Sequence, residues 1–224
     1  MCGQGDCTII RTKYNKVILI DSGEENNEVL LYLLKQQISK IDYLIISHFD
    51  SDHCGSAFEV LENIKIENIV IGIQAEKYDN CVAFIDLAKK KNIDIIVLES
   101  GDFLEIDKET SLEVFFPDKT YTVPDNKINN NSLVCKIKSK NFSILFTGDI
   151  EEETEKYLCL KFGNKLKADI LKVAHHGSKT SSTVQFLQYV KPKIALIGVG
   201  KNNIFGHPSN KVVEELNNLR CKNI

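Results

Sequence analysis

One stretch constrains this chain more than any other: Tyr43-Leu44-Ile45-Ile46-Ser47-His48-Phe49-Asp50-Ser51-Asp52-His53-Cys54-Gly55. The apolar run Tyr43 to Ile46 reads as a short buried strand. It empties into a loop that carries two histidines and two carboxylates within six positions. Four groups able to bind a metal, packed at the end of a strand, read as a site.

The bulk composition limits what surrounds that site. With 224 residues, 43% of them hydrophobic and 26% charged, the chain has the make-up of a globular protein. A formal net charge of -3 and a pI near 6.0 do not advertise a nucleic-acid binder, although a local groove can be basic on an acidic protein. No apolar run approaches the ~20 residues that span a bilayer, and no basic-then-apolar leader opens the chain. The seven cysteines are scattered and show no Cys-x-x-Cys, so free thiols in a reducing cytoplasm are expected rather than a disulfide framework.

Along the chain, an opening hairpin (Cys7–Thr12, Lys16–Asp21) is followed by alternating helices and strands. The helices are expected over Asn27–Gln37, Ser56–Asn63 and Lys77–Lys91, the strands over Tyr43–Ile46, Ile69–Ile73 and Asp94–Leu98. A strand-rich section follows, with Phe103–Ile106, Ser111–Phe116, Ser132–Lys138 and Ser143–Thr147, interrupted by an asparagine-rich polar loop over Pro117–Asn131. The rest alternates again: helix Glu151–Phe162, strand Ala168–Ala174, helix Thr183–Val190, strand Ile194–Val199, and a last helix capped by Ser209. Two mixed sheets packed face to face with helices on the outer faces, in one domain over residues 1–224, satisfy this order.

All five histidines (His48, His53, His175, His176, His207) lie in loops directly after a strand or just before a helix. Asp50, Asp52 and Asp149 share that placement, and so does Asp21, although Asp21-Ser22-Gly23 reads more simply as a tight turn. Imidazoles with carboxylates suit Zn, Mn or Fe(II), and a lone Asp from a distant loop, such as Asp149, suits a bridge between two ions. Such a pair activates water and polarises the oxygen under attack.

These residues carry a resemblance. His48-x-Asp50-x-Asp52-His53 resembles the signature of the metallo-β-lactamase superfamily. Together with Gly3-Gln4-Gly5-Asp6, Asn129 to Val134, Phe146-Thr147-Gly148-Asp149, Val173 to Ser178 and Gly206-His207-Pro208, it is similar to the hydrolase-domain group of the competence protein ComEC. The resemblance implies an αββα sandwich with two divalent metal ions, Mn or Zn, at one edge of the sheets. His48 and Asp50 would hold one ion, Asp52 and His53 the other, and Asp149 would bridge them. His176 would complete the second ion's shell, with His175 facing the substrate and His207 reaching the scissile group. Asp52, His175 and His207 form the expected catalytic set; Asn131, Ser178 and Lys201 are the candidate substrate contacts.

The wider superfamily has His where this chain has Asp50, and a further His in the region of Asn129 to Asn131. The oxygen-rich first site tilts the expected metal toward Mn. The implied reaction is hydrolysis of a phosphodiester, possibly single-stranded DNA, through a metal-activated water; a small phosphodiester or nucleotide, or a carboxylic ester, thioester or lactam, are the alternatives. Relatives also carry a strand before the Gly-Gln-Gly-Asp turn and another after the last helix. Here Met1-Cys2 precedes the turn and the chain stops at Ile224, so missing edge strands are expected.

Overall fold

The computed structural model describes residues 4–74 and 78–224; Met1, Cys2, Gly3 and Lys77, which figure in the readings above, lie outside them. The first five strands are β1 (Thr8–Arg11), β2 (Val17–Ile20), β3 (Lys40–Ile46), β4 (Lys65–Gly72) and β5 (Asp94–Leu98). They form one sheet in the order β1-β2-β3-β4-β5, antiparallel only at the β1–β2 hairpin. The second sheet holds β6 (Phe103–Asp107), β7 (Thr110–Phe116), β8 (Val134–Ser139), β9 (Ser143–Phe146), β10 (Ile170–Lys172), β11 (Ile194–Leu196) and β12 (Lys222–Asn223). Its order is β12-β11-β10-β9-β8-β7-β6, antiparallel through the hairpins from β6 to β9 and parallel from β9 to β12.

Alternation within the strands sets the layers. Side chains two apart share a face, so Leu44 and Ile46 of β3 point one way and Ile45 the other. Leu44, Ile46, Ile69 and Ile71 pack under helices α1 (Glu28–Lys35), α3 (Ala57–Asn63) and α4 (Asp79–Lys90), whose buried stripes include Leu33, Val60 and Phe84. Ile18, Ile45, Val70, Leu112, Cys135 and Phe146 meet between the two sheets. Leu145 and Leu171 face the far side, under α6 (Glu152–Phe162), α7 (Val184–Val190) and α8 (Asn210–Asn218). Two short helices, α2 (Ser51–Cys54) and α5 (Lys127–Asn130), complete the set. The result is the expected αββα sandwich. No helix among the described residues is long and apolar enough to cross a membrane.

Several boundaries differ from the sequence reading. The loop after β3 winds into α2, because the backbone N–H groups of His53 and Cys54 both donate to the Asp50 carbonyl. The strand expected over Ala168–Ala174 shrinks to β10, because Ala174–Gly177 forms a 3₁₀ turn. The strand expected to be missing after the last helix is present as β12: Arg220 takes a positive φ of 56°, and Lys222 and Asn223 then run parallel to β11.

One core residue yields a stability prediction. Lys136 is buried in β8, with its ammonium over the Phe115 ring and donating to the Lys165 carbonyl. Burial, and then the neighbouring Lys138, push its pKa down to about 8. The unfolded chain therefore binds the extra proton between pH ~8 and the ordinary lysine range, so stability rises with pH across that window. Lys136→Met should add ~2 kcal/mol at pH 7 in urea unfolding, with the gain shrinking as pH approaches 10. An unchanged midpoint at pH 7 would contradict this reading.

Candidate metal centre

The parallel register pairs Ile20 with Ile45, so Asp21, one residue past β2, lies beside the end of β3. Its carboxylate accepts the Ser47 N–H (2.7 Å) and the Ser47 hydroxyl (2.8 Å), and it sits 2.8 Å from His53 Nδ1. Ser47 Oγ also lies 3.0 Å from His48 Nδ1. From the other sheet, His176 Nδ1 donates to the Gly198 carbonyl at 2.8 Å. Each of these three imidazoles has its Nδ1 engaged by a neighbour that fixes the ring, which leaves Nε2 as the working atom.

The Nε2 atoms converge with two carboxylates. His53 Nε2 is 3.1 Å from Asp149 Oδ1, and His176 Nε2 is 3.2 Å from Asp52 Oδ2 and 3.6 Å from Asp149 Oδ2. One ligand atom each from Asp52, His53, Asp149 and His176 falls within 4.8 Å of all the others. His48 stands beside them, its ring 4.1 Å from that of His53 and its Nε2 3.8 Å from Asp50 Oδ2. His48 Nε2, His53 Nε2 and Asp149 Oδ1 are buried and lack a hydrogen bond of good geometry. Buried polar atoms without partners are costly, and bound divalent cations would satisfy these three, so these residues fit metal.

The electrostatics agree. Burial alone would lower the proton affinity of His53, but Asp149 and Asp21 on either side outweigh it and raise its pKa well above the usual range. Burial would likewise raise Asp149, yet His53, His48 and His176 hold its carboxyl well below the usual carboxylate range. For His176, Asp52, Asp6 and Asp149 overcome burial and raise the pKa. His48 is pushed down to about 3 by burial and then by the neighbouring His53. Burial and Asp52 raise Asp50. A bound metal would supply the cationic charge that these carboxylates favour between them.

The turn before β1 supports Asp52 from behind. Asp6 N–H donates to the Asp52 carbonyl (3.0 Å) and Gly23 N–H to the Asp6 carbonyl (2.8 Å). A Cβ at Gly5 would collide with the Asp52 carbonyl oxygen and come within 2.7 Å of Glu24 N, so only glycine fits there. The buried Asp6 carboxylate pairs with Lys172.

His175 and His176 both adopt left-handed backbone, with φ of 50° and 54°, a conformation non-glycine residues take at a cost and mainly where function demands it. That turn sends His176 inward and leaves His175 half-buried, with its Nδ1 3.5 Å from Glu151 and its ring 5.8 Å from that of His207. Burial, then the neighbouring His175 and His176, lower the His207 pKa.

The three candidate substrate contacts lie differently. Asn131 is buried and donates its amide to the Val123 and Lys127 carbonyls. Ser178 is buried against the Thr180 hydroxyl at 3.0 Å. Lys201 is exposed, on the rim of a cleft of about 530 Å³ that also holds Asp6 and Lys172. Sequence reasoning passed over Ser47 and Glu151 and took Asp21 for a turn. Asp21 could have been found from its place at the end of a strand parallel to β3. Glu151 carries no local signal; it is held at the site by Asn130, whose side chain contacts both the Glu151 N–H and its carboxylate.

This fold is that of the metallo-β-lactamase superfamily, whose profile matches residues 1–201; the chain belongs to that superfamily. Its relatives are competence proteins of the ComEC type. It is 34% identical to ComE operon protein 3 of Bacillus subtilis over 96% of this chain and 29% of that protein. Competence protein ComA of Neisseria gonorrhoeae is 29% identical over 94% of this chain and 28% of its own length. The chain thus spans less than a third of these relatives. Among solved structures, the metallo-β-lactamase fold protein YhfI of Bacillus subtilis superposes with a TM-score of 0.62 at 12% identity, covering 98% of this chain and 88% of the other.

Proposed function

We propose that this chain is a metal-dependent phosphodiesterase that cleaves DNA. The observation that carries the reading is the carboxylate-rich composition of the centre: Asp50, Asp52 and Asp149 surround the convergent Nε2 atoms, with Asp21 behind them. Asp52, His53, Asp149 and His176 would hold one divalent ion, and His48 with Asp50 a second that shares Asp149. Such ions, when bound, activate water and neutralise charge on the phosphoryl oxygens. Hard, oxygen-rich coordination suits Mn.

The chain's own residues supply the rest. His175, backed by Glu151, stands on the open side of the cluster, where it passes a proton to the leaving oxygen. His207 lies beside it and binds the phosphoryl group. Lys201 on the exposed rim supplies positive charge for the flanking phosphates. The names of the relatives, which include Recombination protein 2 of Haemophilus influenzae, support a nucleic-acid substrate.

Purified protein with Mn is expected to cut labelled single-stranded DNA, and a chelator should abolish the cleavage. Cleavage of bis-p-nitrophenyl phosphate with DNA untouched at several salt concentrations would move the substrate to a small phosphodiester; hydrolysis of a thioester alone would move the reaction class. A separate expectation concerns Asp50. Asp50→His adds a nitrogen ligand beside His48 and should shift the preference from Mn toward Zn by about tenfold in relative activity. An unchanged metal preference would show that Asp50 does not set it.

A further inference from the structure

The loop between β11 and α8 leaves two apolar side chains in solvent, Ile204 at 92% exposure and Phe205 at 65%. Phe205 is not isolated. Its ring lies 5.9 Å from that of His207 at an interplanar angle of 24°, and the His207 ring lies 6.3 Å from that of His176 at 17°. Exposure falls along this row of near-parallel rings, from Phe205 through half-buried His207 to buried His176 in the metal-binding cluster.

The loop is built to hold that row. Asn203 donates its amide to the Gly200 and His207 carbonyls, at 3.1 and 2.7 Å, and accepts the His207 N–H at 3.0 Å. Gln4 accepts the Gly200 N–H at 2.9 Å, and Ser209 N–H donates to the Gly177 carbonyl at 2.9 Å. Pro208 packs so closely on Gly177 that a Cβ there would come within 2.8 Å. The turn bearing the catalytic histidines and the loop bearing Phe205 are therefore one clamped unit. An aromatic face pre-organised in this way binds a flat partner with little further ordering cost. Two lysines are exposed nearby in the chain, Lys201 in the same loop and Lys179 just after the histidine turn.

A flat π-face at the end of a ring row leading to a phosphodiester site, with an exposed lysine in the same loop, matches a nucleotide that carries an unpaired base. We infer that Phe205, with Ile204 beside it, is the platform on which the base flanking the scissile phosphate stacks. The inference rests on the phosphodiesterase reading above. It gives a role to exposed apolar surface that the metal centre does not use.

The chain has no tryptophan, so Phe205→Trp places a single tryptophan fluorophore on the platform. Its emission is recorded as a deoxythymidine decamer is added, with Ca²⁺ in place of Mn²⁺ to slow cleavage, and again with the same decamer made abasic throughout. Quenching by the decamer and not by the abasic strand is the expected result. In parallel, Phe205→Ala should raise the Kd for the decamer about tenfold. In a cycle with the abasic strand, the loss from removing the ring and the loss from removing the base should overlap rather than add. Equal quenching by both strands, or additive losses, would overturn the platform. Cleavage of the decamer by the unaltered protein without any tryptophan response would overturn the platform and leave the phosphodiesterase reading standing. If the unaltered protein neither binds nor cuts the decamer, both fall.

Discussion

Asp149→Ala is expected to abolish hydrolysis, by at least about a thousandfold, equivalent to ~4 kcal/mol of lost transition-state stabilisation. Asp149 lies between two of the histidines: Oδ1 faces His53 and Oδ2 faces His176. Without it the two histidines lose their common anion, and neither candidate ion keeps a full shell. The fold should survive. The backbone N–H of residue 149 still donates to the Ser132 hydroxyl (3.1 Å), and the turn depends on Gly148, whose φ of 50° and closeness to Ser132 leave no room for a side chain. Activity with saturating Mn, together with the thermal midpoint, separates the two effects. A fully folded variant that retains more than a tenth of the activity would show that Asp149 is not at the reacting centre.

The second large effect is expected at a residue that touches no candidate ion. Asp21 holds Ser47 through two hydrogen bonds and His53 Nδ1 through a third contact at 2.8 Å. Partners of this kind fix ring orientation and tautomer, and removing one typically costs 10–100-fold in metal affinity. Asp21→Asn keeps the size and one acceptor oxygen but loses the charge. It should weaken Mn binding within that range in calorimetry. Asp21→Ala should weaken it further and destabilise the fold as well, because the buried Ser47 N–H loses its acceptor. If Asp21→Asn bound metal as tightly as the native chain, the orientation argument would fail. The left-handed backbone at Asp21, φ 55°, is a strain that accompanies this placement.

The residues that made the fold legible were those whose pattern is local. The run at β3, the alternation in β8 and β9, and the stripe of α8 each name their own element, and together they gave the layer order. The strong ligand candidates were legible for the same reason, since histidines and aspartates at strand ends declare themselves by placement. What stayed hidden depends on contacts made across the fold. Asp21 reaches His53 only because β2 runs parallel to β3 in a particular register. Glu151 meets His175 only because Asn130 from a distant loop holds it there. Asn131, legible as part of an asparagine-rich motif, has its amide committed to the Val123 and Lys127 carbonyls, a fact no spacing reveals. The strand β12 was missed because two residues are too few to show a period; it exists through its bonds to β11.

The Nε2 atoms of His53 and His176 converge with Asp52 and Asp149, with His48 and Asp50 beside them, in a cluster fit to hold divalent cations. The most direct test is a calorimetric titration of Mn²⁺ into metal-stripped protein in two buffers of different ionisation enthalpy. Saturable binding of about two ions per chain, with proton release as the ligating groups give up their protons to the metal, is the expected result. The absence of binding at millimolar Mn²⁺ and Zn²⁺, or binding that survives Asp149→Ala unchanged, would contradict it.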